Sequence, residues 1–191
     1  FAEEFGAADA LEYFSAPGRT EIGGNHTDHN HGKVLAAAVN LDVIAAVKKT
    51  DNGVIRLKSA GYPMDTVDTA DLAVKEEEKE RSAALIRGVC ARLSALGYKV
   101  GGFDAVTVSR VLKGSGLSSS AAFEVLVVTI LSHLYNDDAI DPVEAAQVSK
   151  YAENVYFGKP SGLLDQMAAS VGGFTTMDFA DPATPKIEKI D

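Results

Sequence analysis

Two apolar runs early in the chain predict a pair of β-strands. Residues 33–47 form a long strand-like run, and the short run 54–57 follows directly after Asn52 and Gly53. An Asn-Gly pair between apolar runs favours a tight hairpin, because both turn residues must adopt positive φ. We therefore expect the two runs to pair as neighbouring strands.

Later segments alternate between strand and helix patterns. Residues 104–111 and 174–179 are rich in β-branched and aromatic residues, which predicts strands, whereas residues 61–71 are polar and turn-rich. Apolar residues at helical spacing predict helices over residues 75–96, 121–135, 141–157 and 162–171. A hairpin followed by strand and helix units indicates an α+β fold in one domain.

Composition narrows the class of protein. The chain has 191 residues, of which 46% are hydrophobic, and 27 acidic against 18 basic residues give a net charge of -9. The acidic balance argues against nucleic-acid binding, and the best apolar stretch, 123–131, is too short to span a membrane. Cys90 is the one cysteine, and no secretory signal precedes the fold, so we expect a cytoplasmic protein.

A small-residue segment lies between a predicted strand and a predicted helix. Residues 114–120 read Gly-Ser-Gly-Leu-Ser-Ser-Ser. Glycines let backbone N–H groups converge, and a helix N-terminus adds partial positive charge, so the segment suits phosphates. A serine at the helix start could also reach Mg²⁺. The alternative is an ordinary turn with serine caps.

Residues 18–32 hold many polar side chains and one large apolar residue, so we expect them to lie outside the core. Asparagine, histidine and aspartate side chains offer the donors and acceptors that suit a polyhydroxyl ligand. His26, His29 and His31 leave a zinc-binding loop open as an alternative, as is a solvated turn.

A third segment, 162–166, places Asp165 among apolar neighbours in a predicted short helix. A carboxylate in such surroundings needs a partner or has a raised pKa. Arg19 is the best cationic partner on offer, and Glu153 in the preceding helix could add a second carboxylate for a metal ion.

These three segments, in this order and spacing, resemble the GHMP kinase superfamily and, within it, the galactokinases. Residues 18–28 are similar to the galactokinase signature, 116–121 to the phosphate loop, and 162–166 to the segment that holds the catalytic aspartate. The resemblance implies an α+β fold with a mixed sheet packed against helices. Because family members are much longer, it implies that residues 1–191 are the N-terminal domain of a partial chain that lacks a C-terminal domain.

The resemblance also implies site residues. Asp165 would act on the anomeric hydroxyl of a sugar, and Arg19 would keep Asp165 ionised and stabilise the transferring phosphoryl group. Sugar hydroxyls would be held by Asn25, His26, Asp28 and Gly162. ATP phosphates would be bound by Gly114, Ser115, Gly116, Leu117, Ser118, Ser119 and Ser120. The expected Mg²⁺ ligands are Ser120 and Glu153.

Three residues depart from the galactokinase pattern. Asn25 stands where galactokinases usually have Glu, His29 where they have Tyr, and Leu112 where a proline is common. The implied activity is an ATP-dependent sugar 1-kinase acting on galactose, and Asn25 keeps galacturonate, N-acetylgalactosamine and arabinose open as substrates. A non-catalytic sugar and ATP sensor is a further alternative. The expected partners are the sugar, ATP and the missing domain, with no nucleic acid or membrane.

Overall fold

A computed structural model describes residues 1–112 and 114–190. The strands are β1 (Glu12–Gly23), β2 (Lys33–Lys49), β3 (Val54–Ser59), β4 (Met64–Asp68), β5 (Phe103–Ser109), β6 (Phe174–Asp178) and β7 (Lys186–Ile190). The α-helices are α1 (Ala2–Phe5), α2 (Ser82–Ala95), α3 (Ser119–Asn136), α4 (Pro142–Tyr151) and α5 (Leu164–Val171). Short 3₁₀ turns cover Thr27–Asn30 and Glu76–Glu78, and a π-helical segment, Ala152–Phe157, continues α4.

The described strands form a mixed sheet around β2. One edge of β2 pairs with β1, and the other edge is shared by β5 and β6. The sheet continues from β5 to β3 and β4, and from β6 to β7. Strands β3 and β5 run parallel, whereas β2 is antiparallel to each of its three neighbours. Helices α3 and α5 pack on β1 and β2, so the predicted α+β fold with a mixed sheet is confirmed.

The predicted hairpin at Asn52 is wrong, because β5 lies between β2 and β3. Asn52 instead forms a side-chain turn, in which its Oδ1 accepts hydrogen bonds from the Val54 N–H at 3.0 Å and the Thr50 hydroxyl at 2.9 Å. Gly53 has a φ of 69°. The local pattern predicted a chain reversal correctly, but the parallel pairing of β3 with β5 determines which strands are neighbours.

The structure adds three strands to the four that the sequence predicted, namely β1, β4 and β7. Strand β4 lies within the turn-rich residues 61–71, and Val67 on it is fully buried. Strand β1 includes the first part of the polar segment 18–32, which we expected outside the core. Arg19 on β1 is only 6% exposed. Charged side chains can be buried when they are paired, and Arg19 is paired with Asp165.

Helix α2 begins at Ser82, after the charge run 75–81 rather than within it. The run has a structural role, because Glu78 accepts hydrogen bonds from two guanidinium nitrogens of the buried Arg87, each at 2.7 Å. Cys90 is fully buried in α2. Burial raises the pKa of its thiol to about 12.

Helix α4 begins at the start of the predicted range 141–157, and Asp141 is its N-cap residue. The Asp141 carboxylate accepts hydrogen bonds from the backbone N–H groups of Val143 and Glu144 at 2.9 and 3.0 Å. After Tyr151 the helix widens into the π-helical segment, which ends at Gly158 with a φ of 87°. Such wide turns are frequent at functional sites, and this one carries Glu153.

The core lies between the sheet and its helices. A large apolar cluster packs α2, α3 and α4 against the sheet, and a smaller cluster surrounds Leu164 and Met167 of α5. Helix α5 is thereby fixed against β1 and β2. Within residues 1–112 and 114–190, no helix is both long and apolar enough to cross a membrane.

Candidate active site

Strand β1, the segment before α3 and helix α5 meet at one ion pair. Arg19 Nε donates to Asp165 Oδ1 at 2.7 Å, although the two residues are 146 positions apart. The Arg19 side chain is 7% exposed and that of Asp165 is 26% exposed. Arg19 Nη1 also donates to the Gly116 carbonyl at 2.7 Å, and its backbone N–H donates to the Leu117 carbonyl at 3.0 Å. One arginine therefore fixes the aspartate and the glycine-rich segment together.

Ser118 engages the second oxygen of the aspartate. Its hydroxyl donates to Asp165 Oδ2 at 2.5 Å. Ser118 is the N-cap residue of α3, but its side chain makes no capping hydrogen bond. The serine that the sequence placed among the phosphate-binding residues therefore contacts Asp165 directly.

The glycine-rich segment is open at the surface and leads into a helix of 18 residues. Gly114 and Gly116 both have a φ of 77°, a conformation that favours glycine. The Ser115 hydroxyl donates to the Leu112 carbonyl at 2.6 Å. The N–H groups of the first turn of α3, which starts at Ser119, have no partner within the helix, so this end suits an anion.

Glu153 is a buried carboxylate beside the start of α3. It is 1% exposed. Its Oε1 accepts hydrogen bonds from the Ser120 hydroxyl at 2.9 Å and from Lys159 Nζ at 3.0 Å, and its Oε2 accepts from Gln166 Nε2 at 2.7 Å. Mg²⁺ prefers hard oxygen ligands and takes one or two from the protein, with water and phosphate oxygens completing its shell. The predicted pair, Ser120 and Glu153, fits that need.

A second buried carboxylate, Glu124, lies next to this cluster. It is fully buried and accepts a hydrogen bond from Gln166 Nε2 at 3.3 Å. Burial, and then the nearby charge of Glu153, raise the pKa of Glu124 well above its usual range. In the described part of the chain, no group of three or more His, Cys, Asp and Glu residues could hold a metal ion. A Mg²⁺ ion here would therefore depend on ligands from a bound phosphate.

The polar loop after β1, residues 24–32, contacts the segment before α5. Asp28 is buried, and its Oδ2 accepts a hydrogen bond from the Leu164 N–H at 3.0 Å. A Cβ atom on Gly162 would lie 1.7 Å from that same oxygen. Only glycine allows this approach, so the structure brings together two residues that the sequence predicted as sugar contacts.

Asn25 and His26 lie at the exposed edge of this loop. Their φ angles are 52° and 51°, so two left-handed residues turn the chain out of β1. The His26 N–H donates to Glu21 Oε1 at 2.8 Å, and its ring Nε2 lies 3.0 Å from Glu21 Oε2.

The other loop histidines contact different groups. His29 Nδ1 lies 3.4 Å from Asp28 Oδ1, and His31 Nδ1 lies 3.3 Å from the Ala180 carbonyl oxygen. Since His26 contacts Glu21 instead, the three rings do not share one partner. These contacts give no support to the zinc alternative.

Two family models match different parts of the chain. The galactokinase galactose-binding signature matches residues 1–49, and the N-terminal domain of GHMP kinases matches residues 84–173. The first match covers Arg19 and the polar loop, and the second covers the glycine-rich segment and Asp165. The chain carries both the galactokinase signature and the GHMP kinase N-terminal domain.

Individual galactokinases are similar over nearly the whole chain. The galactokinase of Clostridium tetani is 34% identical over 90% of this chain and 43% of its own length. That of Pyrococcus furiosus is 36% identical over 92% of this chain and 48% of its own length. The crystal structure of Lactococcus lactis galactokinase complexed with galactose superposes with a TM-score of 0.89 and 29% identity over 100% of this chain and 50% of that one. The chain thus spans about half the length of these galactokinases.

A cavity that the sequence did not reveal adjoins the start of α3. It measures about 390 Å³. Its walls come from several separate parts of the fold, including Tyr62, Leu85, Ser120, Phe123 and Phe157. Single apolar residues scattered through the chain carry no local pattern, so only the fold shows that they share a cavity.

Glu124 and Gln166 are further polar residues that the sequence analysis missed. A signal existed for Glu124, because it is the one charge within the apolar run 123–131. A charge on a buried helix face requires a partner, and the structure places Gln166 there.

Proposed function

We propose that the full-length protein is an ATP-dependent sugar 1-kinase that phosphorylates galactose to galactose 1-phosphate. The observation that carries this proposal is the position of the Arg19–Asp165 pair. On one side of the pair lies the polar loop after β1, whose Asp28 accepts a hydrogen bond from Leu164 next to Asp165. On the other side lies the glycine-rich segment, whose Gly116 carbonyl accepts a hydrogen bond from Arg19. A group at this position can contact both a sugar hydroxyl and a terminal phosphate.

Asp165 is suited to accept the proton of the attacking hydroxyl. Arg19 occupies Oδ1, so we assign the proton to Oδ2, where the Ser118 hydroxyl now donates. The sugar oxygen forms a bond to the γ-phosphorus as the bond between that phosphorus and the ADP oxygen breaks. The guanidinium of Arg19 offsets negative charge on Asp165 and on the transferring group.

The nucleotide would bind along the start of α3. Backbone N–H groups of residues 114–120 would hold the phosphates, and the adjoining cavity beside Phe123 would hold the adenine ring. Ser120 and Glu153 would hold Mg²⁺, which supplies positive charge to the phosphates. Lys159 would have to leave Glu153 Oε1 when the ion binds there, because two cations cannot share that oxygen at close range.

Asn25 is compatible with more than one sugar substrate, so an experiment must identify which sugar is used. It is neutral and exposed at the mouth of the loop. A neutral amide can bind a hydroxyl, and it also tolerates a C6 carboxylate, which a glutamate would repel. Galacturonate is therefore the most informative competitor of galactose.

The proposed setting is the cytoplasm, where ATP is abundant and the single thiol of Cys90 stays reduced. We also propose that a C-terminal domain completes the site. Asp165 is 26% exposed and the glycine-rich segment is open, whereas phosphoryl transfer requires a water-excluded cleft.

The decisive assay measures ADP release by the full-length gene product. Galactose, galacturonate, N-acetylgalactosamine and arabinose are offered in turn with MgATP. Asp165→Asn removes the proton acceptor, and we expect kcat to fall by about 10³-fold or more. Asp9→Asn, at an exposed position, is the matched control and keeps wild-type turnover.

The outcomes separate the alternatives. Galactose turnover that depends on Asp165 supports the proposal, and preference for another sugar keeps the mechanism but changes the substrate. Binding of ATP or sugar without turnover of any sugar would overturn the enzyme and favour a sensor.

A further inference from the structure

We propose that Glu21 is a positioning residue for sugar binding, which fixes His26 so that its ring Nδ1 accepts a hydrogen bond from a sugar hydroxyl. The inference rests on the proposed function, because it assumes that the loop after β1 binds a sugar. It adds a residue, Glu21, that neither the sequence motif nor the Arg19–Asp165 pair requires.

Glu21 holds His26 with both carboxylate oxygens. Oε1 accepts the backbone N–H at 2.8 Å, and Oε2 lies 3.0 Å from ring Nε2. The two contacts fix the backbone and the ring of the same residue. His26 has a left-handed backbone, and such conformations persist only where the surroundings hold them.

The carboxylate determines which ring nitrogen carries the proton. An ionised carboxylate can only accept hydrogen bonds, so Nε2 must be the protonated nitrogen in this contact. In the neutral imidazole the other nitrogen, Nδ1, is then an acceptor. A sugar hydroxyl needs such an acceptor, and the His26 side chain is 53% exposed and open to a ligand.

The position of Glu21 connects it to the reacting groups. Arg19 and Glu21 alternate on β1, opposite Ala38 and Ala36 of β2, and therefore point to the same face of the sheet. Their Cα atoms are two positions apart along the strand, a distance of about 7 Å, which is within the span of one hexose ring. The Glu21 side chain is 14% exposed, whereas that of His26 is 53% exposed, so the carboxylate is the more buried partner of the pair.

The chain contains a matched control on the same strand. Glu12, at the other end of β1, contacts the ring Nε2 of His133 at 2.8 Å. This pair lies far along β1 from Arg19 and both side chains are about half exposed. Replacing Glu12 by Gln removes the same kind of contact without touching the sugar loop.

The experiment compares the wild type, Glu21→Gln and Glu12→Gln in the full-length gene product. We expect Glu21→Gln to raise the KM for galactose about tenfold, the usual effect of losing a charge-assisted hydrogen bond, with kcat changed less than about threefold. Glu12→Gln should leave both constants unchanged. In a His26→Asn background the effect of Glu21→Gln should disappear, because the two residues act as one unit.

A spectroscopic readout tests the tautomer without turnover. In ¹⁵N-histidine-labelled protein at a pH where His26 is neutral, we expect protonated Nε2 and unprotonated Nδ1, and galactose should shift the Nδ1 resonance. Thermal midpoints confirm that the variants fold.

The two ways of failing are distinguishable. If the wild type turns over no sugar, the proposed function fails. If the wild type turns over galactose but Glu21→Gln keeps its KM, or His26 carries its proton on Nδ1, the proposed function survives and the role of Glu21 is overturned.

Discussion

At the residue scale, the site is built from carboxylates that each make more than one contact. Asp165 contacts a cation through one oxygen and a hydroxyl through the other. Asp28 accepts a backbone N–H while lying against Gly162. These contacts fix each carboxylate in one orientation, as the proposed binding of a sugar and a phosphate requires.

Glu124 differs from these carboxylates in that, among the described residues, only one of its oxygens is hydrogen-bonded. Within residues 1–112 and 114–190, its Oε1 has no hydrogen-bond partner. Its folded-state pKa is raised above the ordinary value of 4.5, so the folded protein holds the proton more tightly than the unfolded chain. The resulting stabilisation is fully present below pH 4.5 and is lost as the pH rises through the folded pKa.

We therefore predict that Glu124→Gln changes the pH dependence of stability. Gln cannot ionise, so the variant should lose less unfolding free energy than the wild type as the pH rises above 4.5. Urea unfolding across the pH range measures the difference, with the exposed Glu77→Gln as control. Parallel curves for the wild type and Glu124→Gln would contradict the prediction.

At the element scale, contacts between distant segments assemble the site. Strand β1 supplies Arg19, the 3₁₀ turn Thr27–Asn30 supplies Asp28, and α5 supplies Asp165. The smaller apolar cluster fixes α5 against the sheet, so the charged contacts form between elements that are already held in place.

Gly162→Ala tests the contact between the polar loop and α5. The new methyl group would overlap Asp28 Oδ2, and relieving that overlap should cost about 1–3 kcal/mol of stability and raise the KM for sugar. Gly23→Ala is the control, because a Cβ atom there would meet nothing within 4 Å. Thermal unfolding and sugar kinetics measure both variants, and an unchanged KM for Gly162→Ala would show that Asp28 does not position the sugar.

At the scale of the whole molecule, the chain spans about half the length of the galactokinases it matches. The side of the sheet opposite the helices exposes Tyr13, Ile44 and Val108. The glycine-rich segment and Asp165 are likewise reachable by solvent.

We predict that the 191-residue chain alone is weakly active or inactive. An open site leaves water in contact with the transferring phosphoryl group and lacks contacts from a closing domain. ADP release by this chain, measured beside the full-length gene product at equal concentration, tests the prediction. Equal turnover would show that the chain carries a complete site.

The sequence by itself determined the α+β class, the helices from α3 onward and the three polar segments. These depend on local information, because helical spacing, an Asp-Pro cap and glycine-rich turns act within a few residues. The same motifs predicted the family and the residues Arg19, Asp28 and Asp165. Sequence could not pair the strands near Asn52, since pairing depends on which distant strand competes for the same edge.

Apart from the Arg19–Asp165 pair, only the tertiary structure decided which polar residues share a contact. It buried Arg19 on a strand, directed Ser118 to Asp165, and placed Glu124 and Gln166 beside Glu153. The physical reason is that a buried charge is stable only with a partner. The Arg19–Asp165 pair, 146 residues apart along the chain, was predicted from the motifs, whereas no local pattern contains the contacts of Ser118 and Gln166.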